Sequence, residues 1–333
     1  MSGGKLGLVL GGGGLIGLAY HAGALKALDD RGIDVTGADV IVGTSAGAII
    51  GSYLASGWKQ TDFYDYAYRR HPNASKDPES MDEQVAQIFE PKWSSGHERL
   101  RRYVGSAFAL ASSRGHLHRL TKGKAPLQHL RRLFPSGMYA TDRTRERFRE
   151  ELPHEWPREG LMISTVELYT GKRVAFGHPA APEAPLPDAV LASTAIPGVF
   201  PPVKINGGQY VDGGAYSATS LDLAVHASCD RIICIAPLGY RGEGAMSLDP
   251  KVWGPMLTRQ FFARSLKKEV VQARSLGIDV LVIRPSIDEL RQLGSNAMRS
   301  FDRHAVTTVA REGTRRLLHQ KSEHPLLERS SQR

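Results

Sequence analysis

An α/β fold with a mostly parallel sheet is what this sequence predicts. Two observations carry the prediction. Short apolar runs alternate with stretches of helical periodicity along the chain. Two of the early strand-to-helix junctions are built of glycine and small residues, which permit tight turns. The 333 residues, 41% of them hydrophobic, suffice for a large core and argue against disorder.

The elements read in order as follows. Lys5 to Leu10 is a short buried strand. Ile16 to Asp30 follows as a helix, with Leu18, Ala22, Leu25 and Leu28 at helical spacing and Gly32 as its stop signal. Val40 to Val42 is a second strand, and Ala46 to Ser56 a small apolar helix. Residues 58–160 read as a basic, mainly helical insertion or lid without a clear strand. Leu161 to Leu168 and Lys172 to Phe176 pair around Tyr169-Thr170-Gly171, and Pro187 to Ala195 is a helix ended by Pro197. Val203 to Ile205 and Gln209 to Val211 flank Asn206-Gly207-Gly208, a hairpin signal. Then come a helix at Leu221 to Ala227, a strand at Arg231 to Leu238, a long helix at Met256 to Leu276, a strand at Val280 to Ile283 and a helix at Phe301 to His319. The expected organisation is a single domain over 1–333, with a frayed tail over 320–333.

Composition narrows the function. The chain carries 43 Lys and Arg against 34 Asp and Glu. Between Gly96 and Arg149 there are thirteen basic residues and three acidic ones, so this segment holds the entire excess. A localised basic segment points to an anionic partner. With the apolar stretch Tyr103 to Ala111 it reads either as an interfacial element, giving peripheral contact with anionic membrane through 96–149, or as a solvated Arg-rich insertion. It has no zinc-finger or RNA-binding signature, which sets nucleic acid aside. The two cysteines, Cys229 and Cys234, form no disulfide framework and read as buried free thiols. No stretch reaches the ~18 apolar residues of a membrane span, and the N-terminus is a poor signal peptide. The expected location is cytoplasmic, peripheral at the membrane if the basic segment binds there. The sequence sets no oligomeric state.

Two junctions carry chemistry. Gly11 to Gly14 and Gly17 follow the first strand and open the first helix, where exposed N–H groups make an anion site. Gly12-x-Gly14-x-x-Gly17 fits a dinucleotide pyrophosphate, with Asp34 as the acidic residue that reading wants. It fits an oxyanion hole equally well. The second strand runs into Gly43-Thr44-Ser45-Ala46-Gly47, a G-x-S-x-G between strand and helix, the setting of a nucleophile elbow. The bland alternative for Ser45 is a helix N-cap. Ser45 as nucleophile needs a base. The twelve histidines offer none after a strand end, and His21 on the first helix reads as a packed or surface residue. Asp212, followed by Gly213 and Gly214 directly after a strand, places a carboxylate where α/β folds put chemistry.

Together these segments resemble the patatin-like phospholipases. The glycine loop, the serine pentapeptide and Asp212-Gly213-Gly214 occur in that family's order, and Ala192 to Pro202 is similar to the segment preceding its aspartate. The resemblance spans roughly residues 5–225. It implies a three-layer αβα fold and a serine hydrolase that cleaves carboxyl esters of lipids through an acyl-enzyme. Ser45 is then the nucleophile and Asp212 the base. Gly12, Gly13 and Gly14 with the N–H of Ala46 form the oxyanion hole, and Gly17, Gly43, Gly47, Gly213 and Gly214 shape the turns. The expected partner is a lipid or acyl-ester substrate. No metal or other cofactor is implied, and no His/Cys/Asp cluster has metal-ligand spacing. Three positions depart from the pattern: Ile16 stands where a cation is frequent, and Ala218 and Ser220 stand where Asn and Pro are frequent. The rival readings are a nucleotide-binding oxidoreductase and a catalytically silent lipid- or protein-binding module on the same fold.

Overall fold

The computed structural model describes residues 4–74, 90, 95–102, 137–242, 249–298, 302–324 and 326. Most of the basic segment 96–149, with its apolar stretch Tyr103 to Ala111, and residues 327–333 of the tail lie outside these. The chain forms two compact units, one of residues 1–76, 158–161 and 217–333, the other of 77–157 and 162–216. The fold class is the expected one, α/β with a mostly parallel central sheet and flanking helices.

In the first unit, β1 (Leu6–Leu10) pairs in parallel with β2 (Val40–Thr44) on one side and β7 (Arg231–Ile235) on the other. β8 (Asp279–Ile283) extends the sheet beyond β7, also in parallel. β1, β2 and β7 are almost wholly buried, which is why they read as apolar runs without alternation. Parallel neighbours need crossovers. The first is α1 (Gly14–Asp30), which stops as expected: Gly32 takes φ 74° and donates its N–H to the Asp29 carbonyl. After β2 come α2 (Ala46–Ala55) and α3 (Asp62–Ala67).

Late in the chain, this unit adds α6 (Asp222–His226), α7 (Trp253–Ser275), a short α8 (Leu290–Leu293) and α9 (Arg303–Gln320). α7 begins three residues before its expected start, because Pro250 opens a 3₁₀ turn that leads into it. α9 lies tight against α1, and a methyl group at Gly23 would collide with Thr307 and Ala310. Both cysteines are buried in this unit. Burial raises the Cys229 thiol to about 11 and pushes Cys234, in the middle of β7, up further.

The second unit is antiparallel. β3 (Leu161–Glu167), whose first residue belongs to the first unit, pairs with β4 (Arg173–Phe176) and with β6 (Gly208–Asp212). β5 (Val203–Ile205) and β6 form the expected hairpin, with Asn206 and Gly207 both at positive φ, as a two-residue primed turn requires. Among its described residues the unit also carries α4 (Asp142–Glu151) and α5 (Leu186–Thr194), bridged by Arg145 and Asp188 at 2.9 Å.

Candidate active site

The turn at Ser45 is shaped by steric exclusion. β2 ends at Thr44 and α2 starts at Ala46, so a single residue makes the turn. That residue, Ser45, sits at φ 54°, ψ −119°, a conformation glycine dominates. A side chain held there costs ~1–3 kcal/mol and is a mark of functional strain. The N-cap alternative is not realised, since the Ser45 side chain makes no cap bond to the helix. Its carbonyl accepts from the N–H groups of Ala48 and Ile49 instead. The residue is 7% exposed.

The flanking glycines explain how so sharp a turn packs. The position a Gly43 side chain would take lies 2.6 Å from Ala48 Cα, and one at Gly47 would run into the Leu10 carbonyl. The start of α2 therefore rests directly on the end of β1.

The glycine loop lies against this elbow. A Gly12 side chain would stand 3.4 Å from Ser45 Cβ, and one at Gly17 3.3 Å from Ala46 Cβ. Gly12, Gly17, Ser45 and Ala46 thus converge, with the N-termini of two helices beside the serine. Helix N-termini favour developing negative charge. Of the expected donors, Gly12 already gives its N–H to the Ala218 carbonyl at 2.7 Å. The N–H groups of Gly13, Gly14 and Ala46 donate to no acceptor among the described residues. Gly14 adopts φ 57°, which turns the chain into α1.

Three carbonyls hold the loop. Gly11 donates to Ile235 at 2.8 Å, Gly12 to Ala218, and Ile16 to Ala297 at 3.2 Å. Ile16 itself is buried at the root of α1, which suits an apolar residue there.

Two further residues support the loop: His21, packed as one of its two expected readings had it, and Glu269, which the sequence did not mark. His21 is fully buried, and its Nδ1–H donates to the Gly17 carbonyl at 2.7 Å. Burial pushes its pKa down to about 4, against the upward pull of the Gly17 and Ile235 carbonyls. The i, i+4 spacing to Gly17 was the available signal. Glu269 of α7 accepts from Ser217 Oγ at 2.5 Å, Thr219 Oγ1 at 2.8 Å and the Leu221 N–H at 3.0 Å. Burial raises its pKa, while these bonds hold it back. Glu269 thereby fixes the segment whose Ala218 carbonyl holds Gly12. No local pattern could announce it, since its partners lie 48 to 52 residues away.

The Asp212 turn, in the second unit, is made by hydrogen bonds. Asp212 N–H donates to the Ala195 carbonyl at 3.0 Å, and its Oδ1 accepts from the Gly214 N–H at 2.7 Å. Asp212 as a whole is 5% exposed. Gly213 passes so close to Ser164 that no side chain fits between them. Ser193 Oγ donates to the Ser164 carbonyl at 2.7 Å, and the end of α5 supplies Ala195. The stretch Ala192 to Pro202 is therefore the buttress of the aspartate turn.

Comparison with known proteins places the chain. A family profile for patatin-like phospholipases matches residues 8–225. The chain belongs to the patatin-like phospholipase family. An uncharacterised NTE family protein of Mycobacterium bovis is 26% identical over 274 residues, 82% of this chain and 60% of the relative. The chain thus spans about three fifths of the length of that relative. A lysophospholipase of Kluyveromyces lactis, NTE1, is 44% identical over 64 residues, 19% of this chain and 4% of its own. Among solved structures, VipD from Legionella pneumophila aligns with a TM-score of 0.42 at 16% identity, covering 95% of this chain and 67% of that one.

Proposed function

We propose that the chain is a serine hydrolase that cleaves carboxyl esters of lipids, of the phospholipase A or lipid acyl hydrolase type. The observation that carries this reading is Ser45 at a strained one-residue elbow, pressed against a glycine loop with N–H groups to spare. Membership of the patatin-like phospholipase family supports it, and the segment shared with a lysophospholipase agrees with it.

In this mechanism Ser45 Oγ attacks the ester carbonyl carbon while the Asp212 carboxylate takes the hydroxyl proton. The tetrahedral oxyanion is received by the N–H groups of Gly13, Gly14 and Ala46. Gly12 serves by lacking a side chain beside the serine, its N–H being engaged with Ala218. Collapse of the intermediate breaks the ester C–O bond, and Asp212 returns the proton to the departing alcohol. Water then attacks the acyl-enzyme, again losing its proton to Asp212, and the fatty acid leaves as Ser45 is restored. A single oxyanion donor is typically worth roughly 10²–10³ in turnover, so the loop matters as much as the base.

The test is labelling and turnover together. A fluorophosphonate should label Ser45 in the wild-type protein, and Ser45→Ala should abolish both labelling and hydrolysis of a chromogenic ester. Asp212→Asn should remove most turnover with the fold intact. Full activity in the Asp212→Asn protein would refute the dyad.

A further inference from the structure

α7 turns two different faces outward and inward. Pro255, Arg259, Ala263, Leu266, Val270 and Ala273 are buried. At ~100° per residue, the opposite face carries Trp253, Leu257, Phe261, Arg264, Lys268 and Val271, spaced by three or four. Soluble helices put polar residues there. Here Trp253 is 52% exposed, Leu257 71% and Phe261 68%. The next two rungs, Arg264 and Lys268, are exposed cations, with exposed Lys267 beside them. The helix has one acid, Glu269, and its carboxylate is engaged with Ser217, Thr219 and Leu221.

We propose that this face of α7 docks on an anionic lipid surface. Trp253, Leu257 and Phe261 enter the boundary between headgroups and acyl chains, and Arg264 and Lys268 meet lipid phosphates. An apolar ridge with aromatic members, followed by cations of one sign, is the pattern of a helix lying in a membrane interface. The charges argue against a second copy as occupant, because the exposed face of α7 carries no acid to pair with Arg264 and Lys268. The apolar half argues against nucleic acid, which offers phosphates along its whole length.

The place of the ridge suits a lipid-acting protein. Gly254, next to Trp253, packs on Ser295, and Arg259 donates to the Gly294 carbonyl. Three residues on, Ala297 accepts from Ile16 and packs against Gly14. The exposed ridge therefore begins close to the glycine loop. Its relevance to substrate delivery rests on the lipid-hydrolase reading; the docking itself does not.

The experiment is vesicle co-sedimentation of the full chain, on phosphatidylcholine alone and with about one third phosphatidylglycerol. Wild type should bind the anionic vesicles and release them with added salt. Leu257→Gln with Phe261→Gln should weaken binding about tenfold or more. Arg264→Gln with Lys268→Gln should weaken it about fivefold per charge on anionic vesicles only. The four side chains are exposed, and thermal melts of both double variants should match wild type. Wild-type binding retained by both variants would overturn the proposal, as would no binding by wild type. Fluorophosphonate labelling in solution, run on the same proteins, reports separately on Ser45. Loss of labelling with docking intact would sink the hydrolase reading and leave this surface standing.

Discussion

The elbow at Ser45 and the turn at Asp212 are both tight, glycine-bearing and almost buried, yet they are held by opposite means. Ser45 occupies a backbone region that resists any side chain, and the packing of α2 on β1 keeps it there. Asp212 sits at φ −49°, ψ 127°, an ordinary extended conformation, and is fixed by its hydrogen bonds to Ala195 and Gly214. The elbow stores strain; the aspartate turn stores none. Substitutions that add atoms should therefore damage the first far more than those that swap one polar group for another damage the second.

The largest effect is expected at Gly47. Gly47→Ala adds a methyl where the Leu10 carbonyl stands, so β1 and α2 must separate. Overpacking costs typically about 1–3 kcal/mol and occasionally more, and an overlap with main chain that cannot swing aside puts Gly47 above that range. A chemical-denaturation midpoint close to wild type would show that steric exclusion does not hold the elbow.

Next comes an acid response from His21, beneath the glycine loop. Its pKa in the folded protein is about 4, against an ordinary 6.5. The depressed value means that folding favours the neutral ring. Its contribution to stability is complete above pH 6.5, declines as pH falls, and is gone below about 4. The difference amounts to about 3 kcal/mol. Denaturation at a series of pH values, comparing wild type with His21→Gln, isolates it from other groups. Parallel curves for the two proteins would contradict a buried neutral His21.

The smallest effect is the sharpest comparison. Ser45→Gly removes the strain of ~1–3 kcal/mol but loosens the unfolded chain by roughly 0.5–1 kcal/mol, so the variant should gain about 1 kcal/mol. Asp212→Asn keeps an oxygen to accept the Gly214 N–H and should change stability by less than about 1 kcal/mol. Melting curves of the two, side by side, should separate them in that order. A destabilised Ser45→Gly protein would remove the claim of strain.

What could be read ahead of the structure was contiguous. The glycine loop, the serine pentapeptide and the Asp-Gly-Gly turn each complete their local geometry within a few residues, and the strands of the parallel sheet are apolar because both faces are covered. What could not be read spans the chain. The Ala297 carbonyl that receives the Ile16 N–H is 281 positions away from it, and Glu269 reaches back to Ser217 and Thr219 from the middle of a helix whose pattern is dominated by cations. Periodicity marks which face of α7 is buried, but not that one acid on it secures a distant loop. The departure at Ile16 is visible in sequence; its burial and the Ala297 carbonyl that receives its N–H are visible only in the structure.

The two shielded thiols have a practical consequence. Cys229 and Cys234 sit in the sheet layer with their ionisation suppressed by burial, and reactivity toward electrophiles follows the thiolate. Maleimide uptake is then a clock for opening of the parallel core, intrinsic to the chain and needing no engineered probe. Because Cys234 lies mid-strand beside β1, its modification times the exposure of the very layer on which the serine turn is mounted.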